Sequence, residues 1–118
     1  MSEKPIVENT LPVCRSNDDA MRTPEPKLKR QVMSFSPSLM LVRHTMTDGW
    51  AGARDSHPHE QLIYIVRGRI HLQQPDGAAM LGPGDSLLIP GGVEHQASAL
   101  EDSEVLDVFT PMREDYSI

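Results

Sequence analysis

From Leu28 onward, short apolar and β-favouring segments alternate with turns rich in glycine and proline. No segment has a sustained helical period of apolar residues, so the pattern predicts strands throughout. Many short strands separated by such turns are typical of an all-β sandwich or barrel. The predicted strands cover residues 30–35, 39–46, 61–66, 69–73, 78–81, 86–89, 95–100 and 104–109.

The first 27 residues contrast with this pattern. They contain several prolines and many polar residues and lack a regular apolar period, so we predict an N-terminal arm, partly flexible, that packs over the barrel or over a second subunit. Residues 28–118 are then the barrel with a short C-terminal tail.

Size and charge restrict the possible functions. A chain of 118 residues forms one domain, and its net charge of −6 argues against a nucleic-acid partner. Lys27, Lys29 and Arg30 are the main basic cluster, which we interpret as the solvated start of a strand. No apolar segment predicts a membrane span or a signal peptide, so we expect a cytoplasmic protein. The single cysteine, Cys14, excludes an internal disulfide.

Four polar residues have the spacing of a metal site. Asp55, His57 and Gln61 follow one another closely, and His95 lies downstream. Side chains two positions apart on an extended strand point to the same face, so Asp55 and His57 can approach one ion together. Imidazole nitrogens with carboxylate and amide oxygens suit a divalent transition metal such as nickel, zinc, manganese or iron.

The glycines and polar residues around these positions resemble the two motifs of the cupins. The first motif has aspartate where its first histidine usually stands and glutamine where its glutamate stands, and the second has Ala99 in place of a final asparagine. The matching positions are Gly49, Asp55, His57, Gln61 and Gly68, then Gly84, Pro90, Gly92 and His95. The resemblance covers about residues 28–111. It implies a jelly-roll β-barrel (double-stranded β-helix) with Asp55, His57, Gln61 and His95 as metal ligands.

A second register of the first motif remains open. His57 and His59 could supply its two histidines. In that register neither the preceding glycine nor Gln61 would occupy its position in the first motif. We therefore place His59 at the rim of the site and keep it as an alternative ligand.

Three further stretches are similar to a narrower family. HPHEQ, GPGDSLLIPGGVEH and LDVFTPMRED resemble the KdgF-type cupins of pectin and alginate breakdown, which open the ring of 4,5-unsaturated uronates. The resemblance implies a homodimer, and it implies that Asp107, Phe109 and Arg113 line the pocket and support catalysis. That family normally has histidine at the position of Asp55.

Alternation along the last strand bears on the role of Asp107. Its side chain shares a face with those of Val105 and Phe109. If that face lines the barrel, Asp107 is a buried carboxylate suited to proton transfer. It could instead form a structural pair with Arg113, which could alternatively bind a substrate carboxylate. His44 lies outside both motifs, and we interpret it as a packing or surface residue.

Three functions follow from these patterns. The first is metal-dependent ring opening, an isomerisation, of an unsaturated uronic acid or a related anionic sugar acid. The second is an Fe(II)-dependent small-molecule dioxygenase with Asp55, His57 and His95 as ligands. The third is a cupin that binds a small ligand without turnover.

Overall fold

The computed structural model describes residues 8–116, which form nine strands and two short 3-10 helices. The strands are β1 Arg22–Glu25, β2 Leu28–Ser36, β3 Leu39–Met46, β4 Glu60–Arg67, β5 Ile70–Gln74, β6 Gly77–Leu81, β7 Ser86–Ile89, β8 Gln96–Ala99 and β9 Ser103–Thr110. The 3-10 helices are Asp18–Ala20 and Glu114–Tyr116. No helix within residues 8–116 is long and apolar enough to cross a membrane.

The strands form two antiparallel sheets that share one core. The larger sheet has the order β1-β2-β3-β9-β4-β7, and the smaller has the order β6-β5-β8. Ile63 and Ile65 of the larger sheet pack with Ile70 and Ala99 of the smaller sheet in one apolar cluster. This arrangement confirms the predicted all-β, jelly-roll barrel.

Part of the predicted N-terminal arm, residues 22–25, has regular structure. These residues form β1, which pairs with β2 at the edge of the larger sheet. Asp18, just before β1, accepts a hydrogen bond of 2.8 Å from Arg43 of the barrel. All four side chains of β1 are exposed and Pro24 interrupts the segment, so the strand depends on backbone pairing that leaves no apolar alternation in the sequence.

Inside the barrel, a row of polar side chains separates two apolar clusters. Val105 belongs to one cluster and Phe109 to the other, and Asp107 lies between them on the same face of β9. The same order of apolar, polar and apolar residues recurs on β2 around Arg30 and on β3 around His44, and Gln61 near the start of β4 adjoins this row. The polar residues of the row are Arg30 on β2, His44 on β3, Asp107 on β9 and Gln61 on β4.

Four glycines of the two motifs adopt a backbone conformation that other residues avoid. Gly49, Gly68, Gly84 and Gly92 all have positive φ, between +82° and +92°. At Gly68 a Cβ atom would lie 2.0 Å from Ser103 Oγ and 2.6 Å from the carbonyl oxygen of Asp102. The turn after β4 therefore requires glycine for its conformation and for its close contact with the start of β9.

We expect Gly68→Ala to destabilise the protein by about 2 kcal/mol or more, because alanine strains the backbone and collides with Ser103. Gly77→Ala is the matched control, since its Cβ would meet nothing within 4 Å. Urea unfolding of both variants measures the difference. Equal midpoints for the two variants would contradict the role given to Gly68.

Candidate functional site

A cavity of about 320 Å³ opens into the barrel beside the polar row. Its wall includes all four predicted ligands as well as Asp107 and Arg113. Residues from both motifs and from the C-terminal stretch therefore line the same cavity. The predicted residues on its wall are Asp55, His57, Gln61, His95, Asp107 and Arg113. Phe109 lies behind this wall, 1% exposed, and its ring meets that of His57 edge-on at 5.9 Å.

His57 and His95 are oriented in the same way. Nδ1 of His57 lies 3.0 Å from the carbonyl oxygen of His59, and Nδ1 of His95 lies 2.9 Å from that of Val93. A carbonyl only accepts, so each Nδ1 carries the proton and each Nε2 of the neutral ring keeps its lone pair. The ring centroids are 5.0 Å apart. In its neutral form each ring therefore has Nε2 available to bind a metal.

Gln61 joins the histidines to Asp107. Its Nε2 donates to Oδ1 of Asp107 at 2.8 Å, which turns its Oε1 toward Nε2 of His57 at 3.1 Å. With His57 neutral, both facing atoms are acceptors. Two ligand atoms at about 2.1 Å from one ion and at right angles to each other lie about 3.0 Å apart. The pair therefore fits adjacent positions around a divalent cation.

Asp55 is placed by its backbone. Its N–H and C=O exchange hydrogen bonds of 2.9 Å with those of His95, so the two motifs meet directly at this pair. The Asp55 side chain is exposed at the cavity wall, and its charge acts on Arg113. Among residues 8–116 no three His, Cys, Asp or Glu side chains are grouped closely enough for a metal site. Ligation by all four residues stays a prediction; among them, His57 lies close to both Gln61 and His95.

His59 faces a different part of the surface. Its side chain lines a groove with Pro37, Met112 and Asp115, outside the main cavity. Its backbone carbonyl accepts the hydrogen bond from Nδ1 of His57. This geometry supports the register in which His57 is the ligand and His59 supports it from the rim.

Asp107 is the buried carboxylate of the site. Its side chain is 5% exposed, and its Oδ2 lies 2.8 Å from Nδ1 of His44 while Oδ1 accepts from Gln61. The alternative in which Asp107 pairs with Arg113 is wrong. Arg113 instead binds Asp115 through Nε and a terminal nitrogen, at 2.9 and 2.8 Å, because the 3-10 helix after β9 places that carboxylate two residues away.

Burial and charge shift the pKa values of several groups near the cavity. Desolvation, with the charge of Arg113 as a further cause, holds the pKa of His57 below its ordinary value of 6.5. The hydrogen bond from Arg113 holds the pKa of Asp115 below its usual range. His57 is thus kept neutral, as a metal ligand must be.

Two members of the polar row, His44 and Arg30, were not predicted as site residues. His44 is 7% exposed and bonds to Asp107, and Arg30 donates from Nε to Nε2 of His44 at 3.0 Å. The interpretations of His44 as packing or surface and of Arg30 as a solvated strand start are therefore wrong. One signal was present, because each residue occupies an inward position between apolar residues of its strand.

The fold and the site define a small single-domain β-barrel with a histidine-lined cavity. Residues 42–109 match the cupin domain family, and the chain belongs to that family. It is similar to KdgF from Halomonas sp., with 31% identity and a TM-score of 0.85 over 91% of this chain and 99% of that one. An RmlC-like cupin from Shewanella frigidimarina NCIMB 400 is also 31% identical, with a TM-score of 0.80 over 86% of this chain and 93% of that one.

More distant structures share the fold alone. A variant of salicylate 1,2-dioxygenase from Pseudoaminobacter salicylatoxidans is 16% identical, with a TM-score of 0.69 over 75% of this chain and 27% of that one. No curated protein matches the chain in sequence. The cupin resemblance and the likeness to KdgF are confirmed.

In the metal-free protein we expect His57 to titrate below pH 6.5, because burial and Arg113 disfavour its charged form. Between the folded-state pKa and 6.5 the unfolded chain binds more protons, so the free energy of unfolding falls as the pH is lowered through that window. An NMR titration of the His57 ring protons measures the midpoint. A midpoint at or above 6.5 would contradict the site geometry.

Proposed function

We propose that this cupin binds a divalent transition metal and opens the ring of an unsaturated uronic acid, an isomerisation that yields the linear keto form. One observation carries the proposal: the buried Asp107 carboxylate is bonded to Gln61, whose oxygen faces the metal-binding nitrogen of His57. Asp107 and the residues proposed as metal ligands line the same cavity, which supports the proposal.

The metal part rests on the donor set. His57, His95 and Gln61 offer two imidazole nitrogens and an amide oxygen, which suit nickel, zinc, manganese or iron. Cupins generally bind a divalent metal, which supports the same assignment. When bound, such an ion would polarise substrate oxygens and make a hydroxyl more acidic. Asp55 is the further ligand that the motif resemblance proposes.

The proton part rests on Asp107. Both of its oxygens accept hydrogen bonds from N–H groups, so it is held as a carboxylate beside the cavity. In ring opening, Asp107 takes the proton from the anomeric hydroxyl, and the bond from C1 to the ring oxygen breaks. The electron pair passes to the former ring oxygen, leaving an enolate over that oxygen, C5 and C4. Return of one proton to C4 gives the ketone, with no change in composition or oxidation state.

The other proposed functions have weaker support. An iron dioxygenase would use the Asp55 carboxylate as its third ligand, and that side chain is exposed and outside any three-residue cluster in the described chain. Oxygen uptake with ferrous iron would favour that function. Affinity for a sugar acid without turnover would favour a binding protein. The homodimer remains a prediction from the family resemblance.

His95→Ala should remove most of the bound metal, because it deletes one of the two imidazole ligands. The control is His71→Ala, since His71 lies on β5 outside the cavity lining. Elemental analysis of protein purified without chelator gives moles of metal per chain. Equal metal content in both variants would rule out His95 as a ligand.

Asp107→Asn should keep the metal and slow ring opening by about 10² to 10⁴-fold, because the amide cannot accept the proton. Asp76→Asn, in the exposed turn before β6, is the matched control. Loss of the C4–C5 double bond of 4,5-unsaturated galacturonate, followed by NMR above the spontaneous rate, measures turnover. Wild-type turnover in Asp107→Asn would make Asp107 a structural residue, and no turnover by metal-loaded wild-type protein would overturn the proposed function.

A further inference from the structure

The substrate of the proposed reaction carries a carboxylate, and Arg113 is poorly placed to bind it. Nε and one terminal nitrogen of Arg113 are both held by the carboxylate of Asp115, at 2.9 and 2.8 Å. Two parallel hydrogen bonds of this kind occupy one edge of the planar guanidinium group. Because Asp115 also neutralises the charge of Arg113, a cavity arginine without an ion pair is the better anchor for a carboxylate.

Arg30 is held in place without using its terminal nitrogens. Its Nε donates to Nε2 of His44 at 3.0 Å, and its guanidinium carbon lies 3.7 Å from the ring centroid of Tyr116. The hydrogen bond fixes the orientation of the guanidinium plane, and stacking on the Tyr116 ring fixes its position in the cavity wall. The guanidinium is thus oriented before any ligand arrives.

The terminal nitrogens of Arg30 have no hydrogen-bond or ion-pair partner among residues 8–116. The other two cavity arginines differ in charge, because each forms an ion pair: Nε of Arg54 with Glu94 at 3.1 Å, and Arg113 with Asp115. Arg30 is half-buried and lines the cavity that Asp107 also lines. It therefore presents two donors and an unneutralised charge beside the proton acceptor.

We propose that Arg30, rather than Arg113, binds the carboxylate of the substrate. This inference rests on the proposed function for the class of ligand, a sugar acid. The two terminal N–H groups of a guanidinium match a carboxylate in a bidentate way.

His44 links this binding group to the proton acceptor. Because Nε of Arg30 always carries a proton, Nε2 of His44 must accept, and Nδ1 must carry the hydrogen that reaches Asp107. One imidazole of fixed tautomer therefore sets the distance between the Arg30 guanidinium and the Asp107 carboxylate. A sugar acid anchored on Arg30 is positioned relative to the base through this ring, and His44 acts as a positioning residue.

The test compares an acid with its neutral ester. Galacturonate and its methyl ester differ in the charge of one group, and NMR shift titrations give the dissociation constant of each without requiring turnover. The proteins are metal-loaded wild type, Arg30→Met and the control Arg67→Met, whose arginine pairs with Glu104 outside the cavity lining. Metal content and thermal midpoint are measured for each.

We expect wild type and Arg67→Met to bind the acid about tenfold or more tightly than the ester, and Arg30→Met to lose this preference. Arg30→Lys keeps the charge without the fork and should fall between them. That variant also keeps the test decisive if Arg30→Met does not fold. Absent acid binding in wild type, equal affinities for acid and ester, or a preference that survives in Arg30→Met and Arg30→Lys would overturn the inference.

Failure of this inference is distinct from failure of the proposed function. Turnover of the unsaturated uronate with an intact acid preference in the Arg30 variants would overturn the inference and leave ring opening in place. An acid preference that depends on Arg30 in a protein without turnover would support the inference and overturn ring opening.

Discussion

The buried carboxylate of Asp107 is the constraint on which the rest of the site depends. An ionised carboxylate removed from water costs several kcal/mol unless hydrogen bonds compensate it. His44 and Gln61 supply those bonds from the two strands that flank β9, at 2.8 Å each. Satisfying Asp107 therefore fixes the His44 imidazole and the Gln61 amide. His44 in turn accepts a hydrogen bond from Arg30, and the oxygen of Gln61 faces His57.

Glutamine at position 61 follows from the same constraint. An amide offers an N–H donor at one atom and an acceptor oxygen at the other, so Gln61 can serve Asp107 and face His57 at once. A glutamate would place two carboxylates in contact, and one of them would have to take a proton. The departure from the usual cupin glutamate is thus compatible with a metal site, and it adds a link to the acid–base group.

Local patterns in the sequence predicted much of this protein. Turn glycines and short apolar segments gave the barrel, and the spacing of His57, Gln61 and His95 identified residues that converge. Alternation in β9 placed Asp107 correctly between Val105 and Phe109. These features depend on neighbours within a few residues.

The missed features depend on contacts between distant segments. β1 forms by backbone pairing with β2, which leaves no apolar period in the sequence. The partners of Asp107 come from β3 and β4, and those of Arg30 from β3 and the C-terminal 3-10 helix. Alternation within β2 and β3 indicates that Arg30 and His44 point inward, but only the strand order brings His44 to Asp107 and Arg30 to His44.

Anomalous diffraction from crystals of the metal-loaded protein would test the central claim most directly. We expect one ion bonded to Nε2 of His57, Nε2 of His95 and Oε1 of Gln61, with the amide nitrogen of Gln61 still on Asp107. An ion held by His59 in place of His95 or Gln61, or a cavity that takes up no ion, would contradict the account.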